Sequence, residues 1–195
     1  MQPSRSARRR PARLPIGAAE TFVGIVDLLT RRAIIYKDEM GKEWDDTEIP
    51  ADMKVKAEEY RHKLVEAIAE HDDLMLQMYL EGKEIPVPEL KRVLRKACIA
   101  NAIVPVFCGS ALKNKGVQFL LDGVVEYLPS PLDIPPLKAT DPDTGATLER
   151  PASDSEPFTA LAFKIATDPF VGRLCFFRVY AGHLEAGSYV LNART

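Results

Sequence analysis

Ile103-Val104-Pro105-Val106-Phe107-Cys108-Gly109-Ser110-Ala111-Leu112-Lys113-Asn114-Lys115-Gly116-Val117 is the stretch on which the fold class turns. Its apolar run, residues 103–108, is bounded by turn signals and reads as a strand buried on both faces, despite the internal Pro105. Residues 109–116 form a small, polar loop. After it Val117, Leu120, Leu121, Val124, Val125 and Leu128 recur at helical spacing. Strand, loop and helix make an α/β element, in which a ligand is expected at the carboxyl end of the strand. The loop's small residues let backbone N–H groups approach a flat ligand closely. On its own this pattern is weak, because many strand-to-helix loops are rich in glycine and serine.

Working back from that stretch, Phe22 to Leu28 and Arg32 to Tyr36 are two β-rich runs with a polar connection, the pattern of a hairpin, and Trp44 starts a further short strand. Pro50 and Asp52 announce a helix over 53–71, with Val55, Ala57, Tyr60, Leu64 and Ile68 inward and Glu58, Glu59, Arg61, Lys63, Glu66 and Glu70 facing elsewhere. A second helix starts at Asp72-Asp73, runs through Leu74, Met75, Met78 and Tyr79, and stops at Gly82. A third starts at Pro88, with Leu90, Val93, Leu94 and Ala97 as its buried stripe and Lys91, Arg92, Arg95 and Lys96 wet. The fold class expected is α+β: an α/β remnant carrying an α+β insertion, followed by the first strands of an all-β domain.

That all-β part lies downstream. Pro129, Pro131, Pro135 and Pro136 break the helix, and the stretch to Glu156 has no periodicity, so a boundary belongs there. Residues 158–165, 174–180 and 188–191 then read as strands, too few to close a barrel. The segments expected are a disordered leader (1–13), an inserted subdomain (14–102), a strand–loop–helix (103–131), a linker (132–156) and the start of a β-barrel (157–195).

The bulk numbers exclude more than they select. In 195 residues with a net charge of -2, the leader's Arg5, Arg8, Arg9, Arg10 and Arg13 leave the remainder at -7, a poor nucleic-acid clamp by charge alone. An Arg-rich, acid-free leader matches the composition of a transit peptide, of a disordered leader or of a mistaken start; the second and third readings are favoured over the first. No apolar run approaches the roughly 18 residues of a membrane span. Cys98, Cys108 and Cys175 sit among apolar neighbours and read as reduced core thiols of a cytosolic protein. His62, His71 and His183 are scattered without metal-ligand spacing, and Glu58-Glu59 and Asp72-Asp73 read as solvated faces or caps, so neither metal nor acid–base chemistry is indicated.

Residues 108–117, Cys-Gly-Ser-Ala-Leu-Lys-Asn-Lys-Gly-Val, resemble the fifth guanine-nucleotide motif of elongation factor G, whose core is Ser-Ala followed by an apolar residue. Residues 127–135 are similar to that family's exit from its nucleotide domain, and residues 153–172 to the first strand of its second domain. Residues 15–18 and 24–28 resemble its inserted subdomain. The resemblance runs from about residue 14 to the end, leaving the arginine leader outside.

What the resemblance implies is a piece of a cytoplasmic GTPase that drives tRNA and mRNA movement on the ribosome, using GTP or GDP with magnesium. Ser110 and Ala111 would lie under the guanine and Leu112 would shape the pocket wall. Glu58, Glu59, Glu66 and Glu70, on the helix corresponding to the family's stalk-facing one, would offer an acidic surface to the large-subunit stalk protein. Lys164, Arg173 and Arg178 would meet small-subunit rRNA phosphates. A monomer is expected, without membrane attachment. The P-loop pattern Gly-x-x-x-x-Gly-Lys-[Ser/Thr] and the base-reading Asn-Lys-x-Asp do not occur in this sequence, since Asn114-Lys115 is followed by Gly116-Val117. An Asp-x-x-Gly in a credible position is missing as well. Phosphate positioning and magnesium supply nearly all catalysis in such enzymes, so the chain alone is expected neither to hydrolyse GTP nor to bind it tightly. The alternatives are a non-catalytic ribosome-binding module, or a truncated or mispredicted reading frame of a related translational GTPase.

Overall fold

The structure, a computed structural model, describes residues 8–141 and 144–193. The chain divides into two units, one ending at Leu128 and the other starting at Pro129.

In the first unit, β1 (Arg8–Pro11) pairs in parallel with β6 (Ile103–Val106), Arg8 opposite Ile103 and Pro11 opposite Val106. Between these two partners lies a long intervening segment, residues 12–102. Its strands β2 (Arg13–Ile16), β3 (Gly24–Asp27), β4 (Arg32–Tyr36) and β5 (Trp44–Thr47) form an antiparallel sheet in sequence order. Alternation splits the sheet's apolar residues between two cores. Val26 and Ala33 join the main core, while Ile25, Ile34 and Tyr36 form a smaller one with Phe22, Cys108 and Phe119. The main core is completed by α1 (Lys54–Ala69), by Met75 of α2 (Asp73–Leu80), and by Leu90, Val93, Leu94 and Ala97 of α3 (Val87–Ile99). Asp72 caps α2, its carboxylate accepting the Met75 N–H at 3.1 Å.

Four sequence expectations need correction in this unit. The leader is not structureless through residue 13: residues 8–11 are paired in β1, and Arg13 of β2 is sequestered beside Asp27 at 2.9 Å. Hydrophobic pattern could not find this segment, because its order comes from backbone pairing and an ion pair; residues 1–7 lie outside the described residues. Second, β6 is not covered on both faces, since Val104 and Val106 are exposed. Third, α1 buries Arg61 and leaves Val55 82% exposed, the reverse of their chemistry. The Arg61 guanidinium is retained because it donates to the carbonyls of Leu28 and Leu29, at 2.5 and 2.7 Å, at the turn that ends β3. Leu74 of α2 is likewise outside.

The fourth concerns α4 (Val117–Tyr127). Its buried positions are Gly123 and Tyr127, while Leu120, Leu121, Val124, Val125 and Leu128 are exposed. Gly123 decides this rotation: a Cβ there would lie 2.8 Å from the Phe107 ring, so the helix presses its bare backbone onto Phe107, and Tyr127 stacks on the same ring.

The second unit holds two hairpins. The first, β7 (Leu137–Thr140) with β8 (Thr147–Arg150), occupies the stretch expected to be a linker; its strands are four residues each, too short for period-two alternation to declare itself. The second, β9 (Thr159–Asp168) with β10 (Gly172–Ala181), is a long antiparallel ribbon with a bulge at Phe163. Residues 188–191, expected to be a strand, are not one: Tyr189 and Leu191 are exposed and nothing pairs with them among the described residues. The molecule is therefore of mixed helix and sheet, in keeping with an α+β class.

Candidate functional site

Beyond β6 the backbone passes through Phe107 and Cys108 into the 109–116 loop. Ser110 and Lys115 exchange both backbone hydrogen bonds, at 2.8 and 3.0 Å, and so close the loop's neck. Inside the neck the Asn114 N–H donates to the Ala111 carbonyl at 3.2 Å, with Asn114 in the left-handed region at φ 52°. The glycines serve this closure. A Cβ at Gly109 would stand 2.6 Å from the Lys115 carbonyl oxygen, and one at Gly116 2.9 Å from that of Cys108. What remains at the tip is Ala111 and Leu112, the latter 89% exposed. Their amide N–H groups donate to nothing among the described residues. The arrangement is thus a hydrogen-bonded neck whose tip carries two adjacent donors without an acceptor among the described residues, able to meet a ligand's carbonyl or other acceptor oxygen.

The loop is also held from the side. The Gly116 N–H, at the start of α4, donates to the buried Tyr36 hydroxyl at 2.5 Å. Burial raises the Tyr36 pKa, opposed by the Gly116 N–H and by Arg13, which favour the phenolate. Gly41, between β4 and β5, approaches Asn114 so closely that a Cβ would lie 2.6 Å from its carbonyl oxygen, and its own carbonyl accepts from Gln118 Nε2 at 3.0 Å.

Ser110, Ala111 and Leu112 are therefore together on one loop. The four carboxylates of α1 are not a bare acidic face. Glu59 pairs with Lys63 at 2.5 Å, Glu70 with Arg8 at 2.9 Å, and Glu58 with Arg31 at 3.4 Å. Glu66 alone of the four has no ion pair among the described residues. Residues 59, 66 and 70 share one side of the helix by spacing, while Glu58 points beside them toward Arg31. Lys164, Arg173 and Arg178 do not converge. Lys164 lies over the Phe176 ring at 5.6 Å and Arg178 over Tyr180 at 5.5 Å. Arg173 is five positions before Arg178 on β10, and so belongs to the opposite face of the ribbon.

Two features lay beyond sequence reasoning: Tyr36, an apolar-looking strand residue, and Gly41, one of several turn glycines. Only the tertiary contact between residues far apart in the chain reveals them. A concavity of about 470 Å³ is lined by Arg13, Arg32, Asp46, Lys91, Asp122 and Glu126 among others, and mixes both signs of charge. Arg13 Nη1 is buried there without a hydrogen-bond partner, its guanidinium lying 5.0 Å from the Phe107 ring and 5.2 Å from the Phe119 ring, which receive its charge. Among the described residues no group of three histidine, cysteine or acidic side chains is placed to hold a metal ion, and no helix is long and apolar enough to cross a membrane. Cys98 and Cys108 are half-buried, and burial pushes both thiols up to about 11; Cys175, expected in a core, is exposed on the ribbon.

No protein-family model matches the chain. Among solved structures it is similar to a protein of Thermus thermophilus, with a TM-score of 0.68 and 28% identity over 92% of this chain. The match covers 24% of that protein, so the chain spans about a quarter of its length.

Proposed function

We propose that this chain is a portion of a cytoplasmic translational GTPase of the elongation factor G type. It comprises the inserted subdomain, the last strand–loop–helix of the nucleotide domain, and the opening strands of a β-barrel second domain. The reading is supported by the loop after β6, whose closed neck leaves the amides of Ala111 and Leu112 without an acceptor among the described residues, and on this proposal a guanine carbonyl would be met there. Ser110 holds the neck and Leu112 supplies an apolar wall. The exposed aliphatic side chains of α4 and of β6 fit a surface that packs on further parts of a nucleotide domain. GTP or GDP and magnesium would be held mainly by groups outside these residues, and this stretch alone would turn over no GTP. Its contribution to translocation would be base recognition and ribosome contact. The stalk-facing surface of α1 would be a mixed-charge one centred on Glu66, rather than a uniformly acidic one. On the ribbon, rRNA would be met by Lys164 and Arg178 from one face, with Arg173 excluded from the same contact.

The test is nucleotide titration of the full chain. Calorimetry with GTP or GDP and magnesium is expected to give no heat from a chain that is folded by circular dichroism. At millimolar guanosine, NMR is expected to shift the Ala111 and Leu112 amides, whereas adenosine leaves them in place. Micromolar, magnesium-dependent binding would remove the idea that the phosphates are held elsewhere. Equal shifts with both nucleosides, or none with either, would remove the guanine reading itself.

A further inference from the structure

Three contacts from the β4–β5 hairpin land on the second half of the 109–116 loop and on the helix turn that follows it, at Asn114, Gly116 and Gln118. The Tyr36 hydroxyl takes the Gly116 N–H at the second stem; the Gly41 backbone lies against Asn114; the Gly41 carbonyl receives Gln118 in the first turn of α4. The hairpin end of this brace is itself stiff. Tyr36 is buried and opposes Trp44 across the ladder, its backbone N–H donates to the Val23 carbonyl at 3.0 Å, and Trp44 meets Phe119 of α4 edge-on at 5.2 Å. Lys115, buried within the neck, carries its ammonium 5.8 Å from the Tyr36 ring.

We propose that Tyr36 is a positioning residue for this loop, and that the β4–β5 hairpin is the lever by which the inserted subdomain sets the aim of the Ala111 and Leu112 amides. The regulatory part rests on the loop being the base-binding site; the positioning part does not. A left-handed Gly116 at φ 86° has many alternative conformations open to it. The Tyr36 hydroxyl selects one of them, and through the Ser110–Lys115 pair it fixes where the tip points. A partner that displaced the hairpin by even a fraction of an ångström would therefore change the loop without touching it.

The experiment is residue-resolved hydrogen exchange on the full chain and on Tyr36→Phe, which keeps the ring and its packing and removes only the oxygen. Loss of the direct bond must speed Gly116 exchange in any case. The expected signature is that the Ser110 and Lys115 amides, bonded only to each other across the neck, also exchange faster, by roughly tenfold, while core amides of α1 and α3 hold their rates. Gly41→Ala, which forces the hairpin tip off Asn114, is expected to act in the same direction. Acceleration confined to Gly116 in the first variant, with no neck response in the second, would overturn the proposal. Guanosine titration of the same samples separates the two layers. Neck acceleration with no guanosine response in the wild type keeps the lever and drops the base site. A full guanosine shift that both variants retain unchanged drops the lever and keeps the base site.

Discussion

At the scale of single residues, the three cysteines give the plainest chemistry. The reactive species is the thiolate. Burial holds Cys98 and Cys108 at a pKa of about 11, so both are thiols near neutrality, whereas Cys175 stands exposed on β10. Iodoacetamide at pH 8 is expected to label Cys175 rapidly and the other two only after unfolding, read by peptide mass spectrometry. Equal labelling of all three in the folded chain would contradict the burial. The sign of the linked pH effect follows: a folded-state pKa raised from 9.0 to about 11 contributes stability that is whole below pH 9 and is lost as pH rises toward 11. Tyr36 adds loss in the same direction, because its pKa is raised above 10.0. Tyr127 of the main core is raised further still, so alkaline denaturation should loosen both cores of the first unit, at Cys98 and Tyr127 in the main one and at Cys108 and Tyr36 in the small one.

Among elements, the joint between α1 and the β3–β4 turn depends on one charged side chain. Arg61 satisfies two buried carbonyls at once. Arg61→Met fills similar volume yet leaves both oxygens unpaired, an expected loss on the order of 3 kcal/mol, seen as a lower urea midpoint with an unchanged slope. A loss below about 1 kcal/mol would mean that water replaces the guanidinium. The same residue marks how far the sequence could be read. The stripe of α3 was legible from Leu90 to Ala97, because its amphipathic period is strong and Leu90, Val93, Leu94 and Ala97 are all buried. The hairpin of β3 and β4 was legible from its β-rich runs and polar connection. On α1 and α4 the same periodic rule failed at Val55, Arg61, Leu121 and Val125, because the neighbour, and not the helix's own pattern, selected the inward face. For the candidate site, a motif nominates Ser110, Ala111 and Leu112, which share the loop after β6, whereas Tyr36 and Gly41 depend on contacts between residues that sequence cannot bring together.

For the molecule as a whole, the two units differ in how they are held. The first has a continuous core from Leu14 to Tyr127. The second places Leu161, Phe163, Ile165, Phe176 and Phe177 largely in solvent on a two-stranded ribbon, an arrangement rarely stable by itself. Hydrogen exchange is expected to show strong protection in α1, α3 and β3, and weak protection throughout β9 and β10. Uniformly strong protection over 150–195 would show that the ribbon has acquired a cover, through self-association or another surface.

The parallel pair of β1 and β6 encloses residues 12–102 between its partners. As the chain leaves the ribosome, β1 must wait with its edge unpaired until three helices and four strands have been made. Closing so long an intervening loop costs entropy that helix packing repays first. The pair should thus form late: the intervening segment folds as a local nucleus, and β1 and β6 zip afterwards like a clasp. Substitutions in β1 would then leave the folding rate nearly untouched and act by shortening the lifetime of the native state.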